Sequence, residues 1–347
     1  MTEIDSTVSR PVPKIELHVH LEGTVQAHTL MTVARRNALP LPADTVEGLT
    51  DLYRFRDFQH FIEVWVLTTN CLRTADDFRQ VVVDYAAAAA SHGAVYLEGI
   101  FSPAERVARG VSWDALFSGY CDGAQQAEEE HGVVVRLTPD VHWGIESDDA
   151  CEVARRAVAF RDRGVVGLGV GGLEGKVAPG HYARAFAIAR DGGLGSVPHA
   201  GEVGGAASVR DALQALGADR IRHGIRAVED PGLVAELADR GTVLDVCPTS
   251  NLRTGVVASL DRHPMGALVA AGVNCSVSTD DPAMFDTDLS REYALLGRLG
   301  TSPQLAYEAG VSGALCDDDT RATLRSIAEL TSWSDACPFA AGHEVTP

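Results

Sequence analysis

The sequence predicts an α/β protein folded as a (β/α)8 TIM-type barrel, with extra helices after the first strand and at the C-terminus. Three observations point there. About eight short runs rich in β-branched residues alternate with helical segments over roughly 270 residues. Several of those runs lack polar alternation, as expected of parallel strands covered by helices on one face and core on the other. Histidines and acidic residues gather at the C-terminal ends of the runs, where barrel enzymes carry their chemistry.

The elements follow in order. Residues 1–13 are polar with two prolines and read as a flexible N-terminal arm; the barrel is expected over 14–330 and a loose tail over 331–347. The first strand, Ile15–His20, places His18 and His20 on one face with Val19 opposed. A helix runs from about Ala27 to Arg36, with Thr24 or Gln26 as its cap. Phe58, Phe61, Ile62 and Trp65 recur at helical spacing, an apolar stripe that either packs on the barrel wall or lies as a lid over a pocket. Thr74-x-x-Asp77 caps a helix over Phe78–Ser91, Gly93 ends it, and the run Ala94–Phe101 follows as a strand. The alternation repeats: helix Ser112–Glu130 before strand Val133–Leu137, Asp149–Arg161 before Val165–Val170, Tyr182–Arg190 before Ser196–His199, and Ser208–Leu216 before Arg220–His223. Asp230, Pro231 and Gly241 cap, start and stop the helix before Val243–Val246, and Pro264–Ala271 precedes Cys275–Thr279. Beyond Asp281 the chain reads as helical to about Leu330.

The composition, 46% hydrophobic and 22% charged over 347 residues, is that of a globular enzyme with a large core. A formal net charge of −19 argues against nucleic-acid backbones and anionic membranes as partners and suits a small-molecule substrate. Seven scattered cysteines without a C-x-x-C pair indicate neither a disulfide framework nor a thiolate metal site. The N-terminus lacks an apolar signal region and Ala86–Ala90 is too short to span a bilayer, so a cytoplasmic location is expected.

Tested at each strand end, the chain offers His18-Val-His20 at the first, His199-Ala-Gly-Glu202 at the fifth, His223-Gly224 at the sixth and Ser278-Thr-Asp280-Asp281-Pro282 at the eighth. Four of the twelve histidines thus converge on one rim with Asp280. Imidazoles and a carboxylate without a thiolate point to Zn²⁺, with room for a water. The fourth strand end, Gly169-Val-Gly-Gly172, carries no bridging residue, which argues for one ion rather than two. A metal ion lowers the pKa of bound water towards ~7, and attack on an electron-poor aromatic carbon then needs a proton donor to the ring. Glu202 fits that role if an apolar pocket raises its pKa. His223 and Asp280 both reach the water, His223 being the better base, and Asp281 is placed to accept a substrate hydrogen bond. Cys247 lacks a partner and reads as a buried structural cysteine. His142 and His60 read as incidental or as support to the site.

Pro13-Lys-Ile-Glu-Leu-His-Val-His-Leu-Glu-Gly23, His199-Ala-Gly-Glu202, Arg222-His-Gly224 and Ser278-Thr-Asp-Asp-Pro282 together resemble the adenosine/adenine deaminase family of the metal-dependent amidohydrolases, over about Lys14–Asp288. The resemblance implies hydrolysis of a purine 6-amino group to the 6-oxo form with release of ammonia. It implies zinc binding by His18, His20, His199 and Asp280, protonation of N1 by Glu202, and handling of the water by His223. It also implies a contact of Asp281 with N7, a Gly172 backbone N–H to N3, and an apolar gate of Phe58, Phe61 and Trp65. Position 22 is Glu where nucleoside-type members usually carry Asp towards the ribose, and base-specific adenine deaminases tend to have Glu. The expected substrate is an adenosine or a 5′-extended adenosine such as 6-amino-6-deoxyfutalosine, with free adenine as the alternative. The glycine-rich segment Val165–Gly175 would leave space on the sugar side. A substrate carboxylate would find partners among Arg54, Arg56, Arg106 and Lys176.

Other readings fit less well. Gly167-x-Gly169-x-x-Gly172 satisfies a dinucleotide-binding pattern, but no helix follows at once and no acidic residue lies at a strand end ~20 residues on. A non-catalytic purine- or zinc-binding protein would have no need of Glu202, His223 and Asp281 together. The cysteine-ligated zinc signature of nucleic-acid deaminases is missing.

Overall fold

The computed structural model describes residues 11–55 and 58–333, with 58, 59, 61 and 62 described by backbone alone. The N-terminal arm up to Arg10, the tail from 334 and the Phe58 and Phe61 side chains lie outside the described residues. Eight strand positions appear in sequence order: β1 (Lys14–His20), β2 (Ala94–Phe101), β3 (Val134–His142), β4 (Gly167–Gly171), β5 (two segments, Gly195–Ser196 and His199–Ala200), β6 (Arg220–His223), β7 (Val243–Val246) and β8 (Asn274–Val277). Each consecutive pair is parallel.

β5 is one strand interrupted at Pro198, which has no N–H for the ladder. On one side Val197 N–H donates to Leu168 O at 2.9 Å, and on the other Pro198 O accepts from Arg222 N–H at 3.0 Å. The ring closes between β1 and the end of β8. His20 N–H donates to Asp280 O at 2.8 Å and Asp280 N–H to His18 O at 3.1 Å, while Ser278 Oγ accepts from the N–H groups of Leu17 and His18 at 3.1 Å each. The fold is therefore the expected (β/α)8 barrel.

Helix boundaries follow their caps. Thr74 and Asp77 form a reciprocal capping box at the start of helix Ala75–Ser91, and Asp230 accepts from Gly232 and Leu233 N–H at the start of Pro231–Arg240. Gln26 holds the cap position of Ala27–Arg36 without a side-chain bond. The Phe101 ring packs 5.1 Å from Phe117 and 4.5 Å from Tyr120, joining β2 to helix Trp113–His131. After Asp281 the helical stretch divides into Pro282–Phe285, Leu289–Leu295, Pro303–Gly313 and Asp318–Leu330. Among the described residues no helix is long and apolar enough to cross a membrane.

β3 runs to His142, beyond the Val133–Leu137 expected from its apolar run, because its polar residues point into the barrel. Asp140 is buried against the Arg222 guanidinium, whose Nη2 also donates to Thr138 at 2.6 Å. The same pair explains the glycines of β4. A Cβ on Gly169 would stand 2.1 Å from Asp140 and 2.3 Å from Arg222, and one on Gly171 would stand 2.4 Å from Asp140. These glycines make room for neighbouring side chains rather than for a pyrophosphate or a sugar. Lower in the barrel, the fully buried Arg220 bridges Glu98 and Asp245 and donates to Gly313 O, tying helix Pro303–Gly313 across that end.

Candidate active site

β1, β5 and the turn after β8 bring four donors to one point on the rim. His18 Nε2 and His20 Nε2 lie 3.2 and 3.3 Å from Asp280 Oδ1, and His199 Nε2 lies 3.1 Å from His18 Nε2 and 3.2 Å from His20 Nε2. Ligands about 2.0–2.1 Å from one shared cation have edges of roughly this length. Three imidazole nitrogens and one carboxylate oxygen therefore fit a divalent metal. The nitrogens of His18 and His199 are free to bind it, whereas the Asp280 and Asp281 carboxylates raise His20 to about 9 against burial, so its proton leaves when the metal binds. His199 Nδ1 donates to Val170 O at 2.9 Å, which leaves its Nε2 lone pair facing the cluster. Burial holds the His199 imidazole well below its usual pKa and takes that of His18 to about 3, so both rings are neutral.

Asp280 divides its oxygens. Oδ1 faces the imidazoles, whereas Oδ2 accepts from Ser250 Oγ at 2.6 Å and lies 3.9 Å from His223 Nε2. His223 Nε2 is also 3.7 Å from Glu202 Oε2, and its other ring nitrogen lies 3.4 Å from the Asn251 amide, which is itself held by His263 at 3.2 Å. Burial raises the Glu202 carboxyl, and the charges of Asp280 and Glu174 raise it further against the opposing pull of His223. Burial and the adjacent Asp280 charge push Asp281 well up, and its Oδ1 is buried without a hydrogen-bond partner.

Glu22 is buried beside this group. Its Oε1 accepts from Ser102 N–H at 3.0 Å, its Oε2 has no partner, and burial raises its pKa although the Arg106 charge opposes this. Of the four expected cations, Arg106 is buried, Arg54 is exposed and paired with Asp51, Lys176 lies beside Gly144, and Arg56 is outside the described residues. Gly172 turns the chain out of β4 at φ +87°. The helix Phe58–Cys71 brings Trp65 over the rim, its ring 6.4 Å from that of His20 and nearly perpendicular to it. Cys247 sits buried behind His18 and His223, and burial pushes its thiol well up, as suits a structural cysteine.

The sequence reading missed Ser250, Asn251 and His263 behind the site, Asp140 and Arg222 behind His199, and Glu174. Ser250 and Asn251 stand in the same Cys-Pro-Thr-Ser-Asn segment as Cys247, at a seventh strand end that carries no metal-type residue besides the cysteine.

Residues 13–329 match the family described as adenosine deaminase. An aminodeoxyfutalosine deaminase of Acidothermus cellulolyticus is 56% identical over 340 residues, covering 96% of each chain. The crystal structure of an adenine deaminase from Arthrobacter aurescens superposes with a TM-score of 0.86 at 30% identity, covering 94% of this chain and all of that one. An amidohydrolase from Burkhoderia ambifaria, solved with bound Zn, gives a TM-score of 0.82 at 27% identity over 93% of this chain and 90% of its own.

Proposed function

The chain belongs to the adenosine deaminase family, and from that premise we propose that it hydrolyses the 6-amino group of an adenosine-type purine nucleoside, with 6-amino-6-deoxyfutalosine as the favoured substrate. It is a metal-dependent hydrolytic deaminase, and the products are the 6-oxo purine and ammonia. The observation that carries the reading is the convergence of His18, His20, His199 and Asp280 within 4.8 Å of one another, with Glu202 and His223 beside them. The 56% identity to a protein named aminodeoxyfutalosine deaminase supports the substrate.

In this reading His18, His20, His199 and Asp280 would hold a single zinc ion, which would supply an acidified water for addition at C6. Glu202, whose carboxyl burial pushes upward, donates to N1 and makes C6 more electrophilic. His223 takes a proton from the water and returns one to the departing amine. Asp281 meets N7, the Gly172 N–H meets N3, and Glu22 faces the sugar side. Trp65, on the helix Phe58–Cys71, belongs to the apolar gate that excludes bulk water.

The test is a deamination screen comparing kcat/KM for adenine, adenosine, 5′-modified adenosines and 6-amino-6-deoxyfutalosine, run beside Glu202→Gln. The variant should keep its metal and bind substrate but lose about three orders of magnitude in rate; near wild-type turnover would remove Glu202 from the mechanism. A clear preference for adenine would replace the nucleoside reading by the free-base one, which Glu22 and the likeness to the Arthrobacter aurescens adenine deaminase favour.

A further inference from the structure

Glu174, in the turn after β4, reaches across to the loop that carries Glu202. Its Oε1 accepts from Gly201 N–H at 2.8 Å and from the Ser208 hydroxyl, and its Oε2 accepts from the N–H groups of Glu202, Val203 and Gly204 at 3.2, 3.0 and 2.7 Å. Four successive amides curled around one carboxylate form an anion nest, here filled by the protein's own side chain. The fit is close, since a Cβ on Gly204 would stand 2.5 Å from Glu174 Oε1. Without an acceptor, residues 201–204 would have to satisfy these donors in another way, most simply by turning them to water. Between His199 and the helix Ala206–Ala215 the loop is also tied by Arg226, whose N–H donates to Gly201 O at 3.0 Å and whose guanidinium donates to Val203 O, but these bonds use carbonyls and leave the four amides to Glu174.

We propose that Glu174 is a positioning residue for the deamination. It locks the 201–204 backbone so that the Glu202 carboxyl stays beside His223, and it couples this loop to the turn at Gly172 two residues before it. The proposal rests on the reading of Glu202 as the proton donor.

The experiment compares Glu174→Ala, Glu174→Gln and Glu202→Gln with the wild type, each zinc-loaded and assayed with the best substrate of the screen. Amide hydrogen exchange over 201–204 is measured on the same samples. A displacement of the acid by about 1 Å costs roughly 100-fold in rate. Glu174→Ala should therefore lose kcat on that scale with KM changed by less than about threefold, metal content intact and exchange at 201–204 accelerated. Added formate, a carboxylate of the right size for the vacated nest, should restore turnover and slow the exchange, whereas formamide should do neither. Wild-type kcat in Glu174→Ala, or a loss that formate leaves unchanged, would overturn the proposal. If the alanine variant does not fold, Glu174→Gln, which keeps the shape and only one carbonyl acceptor, must show faster exchange together with a fall in kcat; unchanged values for both would overturn it. Undiminished turnover in Glu202→Gln would instead remove the premise, and the proposed role of Glu174 in catalysis would fall with it.

Discussion

Asp280 and His223 both stand in the left-handed region of backbone space, at φ +67° and +60°, where side chains other than glycine are uncommon. Such strain is typical of sites where the surrounding structure dictates the geometry. At Asp280 it follows from the two backbone bonds to β1 and from the Ser250 hydroxyl on Oδ2, which together aim Oδ1 at the imidazoles. This decides how the ligand role is tested. Alanine at 280 would add a left-handed backbone penalty of roughly 1 kcal/mol to the loss of the ligand. Asparagine tolerates the conformation and keeps an oxygen for Ser250. Asp280→Asn should fold and melt close to the metal-free wild type while losing most of its metal and activity, read by metal analysis of the purified protein; full metal occupancy would remove Asp280 from the ligand set. The clustering of His18, His20, His199 and Asp280 was legible in the sequence because each stands at a strand end of the alternating pattern. Glu174 was not, because a glutamate in a glycine-rich turn looks like any solvated residue until its four amide partners are placed in space.

Between elements, the buried carboxyl of Glu292 joins helix Leu289–Leu295 to the start of helix Pro248–Arg253, accepting from Thr249 N–H at 3.2 Å and from the Thr287 hydroxyl. Burial raises its pKa from 4.5 to about 7 against the pull of these donors. The folded state therefore holds this proton over a range where the unfolded chain has lost it. The stability it contributes is complete below about pH 4.5 and is lost as pH rises through about 7. At about 1.4 kcal/mol per pKa unit, the amount at stake is roughly 3 kcal/mol. Glu292→Gln should lose less stability than the wild type between pH 5 and pH 8 in urea titrations, and parallel curves for the two proteins would contradict the assignment. The element pattern itself was read closely where apolar residues define it, as at Ala94–Phe101, Arg220–His223 and Val243–Val246. It stopped short where polar residues face inward, as with Thr138 and Asp140 in β3, and it placed β5 at Ser196–His199 without showing the break in the ladder at Pro198. A hydrophobic scan treats a buried ion pair as surface, and only the Arg222 partner on β6 shows otherwise.

At the scale of the molecule, the barrel closes without using the side-chain atoms of the His18, His20, His199 and Asp280 cluster. The backbone bonds between His18, His20 and Asp280, and those from Leu17 and His18 to Ser278, span about 260 residues of chain but involve none of the four atoms that face the cluster. Those four atoms set nitrogen lone pairs and a carboxylate against one another at 3.1–3.3 Å, an arrangement that repels unless a cation or a proton lies between them. Burial opposes protonation at His18 and His199, and the Asp280 and Asp281 charges outweigh it only at His20, where the pKa stands at about 9. Metal removal should therefore leave the barrel folded but less stable. A ligand present at a thousand times its dissociation constant contributes about 4 kcal/mol to stability. Prolonged chelation followed by desalting should abolish turnover, preserve the far-UV circular dichroism and lower the melting temperature by roughly 5 °C or more. Added zinc should restore both activity and melting temperature. Unfolding on chelation would show that the β1–β8 bonds do not suffice to close the ring. An unchanged melting temperature and turnover in protein proven free of metal would mean that His18, His20, His199 and Asp280 meet at the rim for some purpose other than holding an ion.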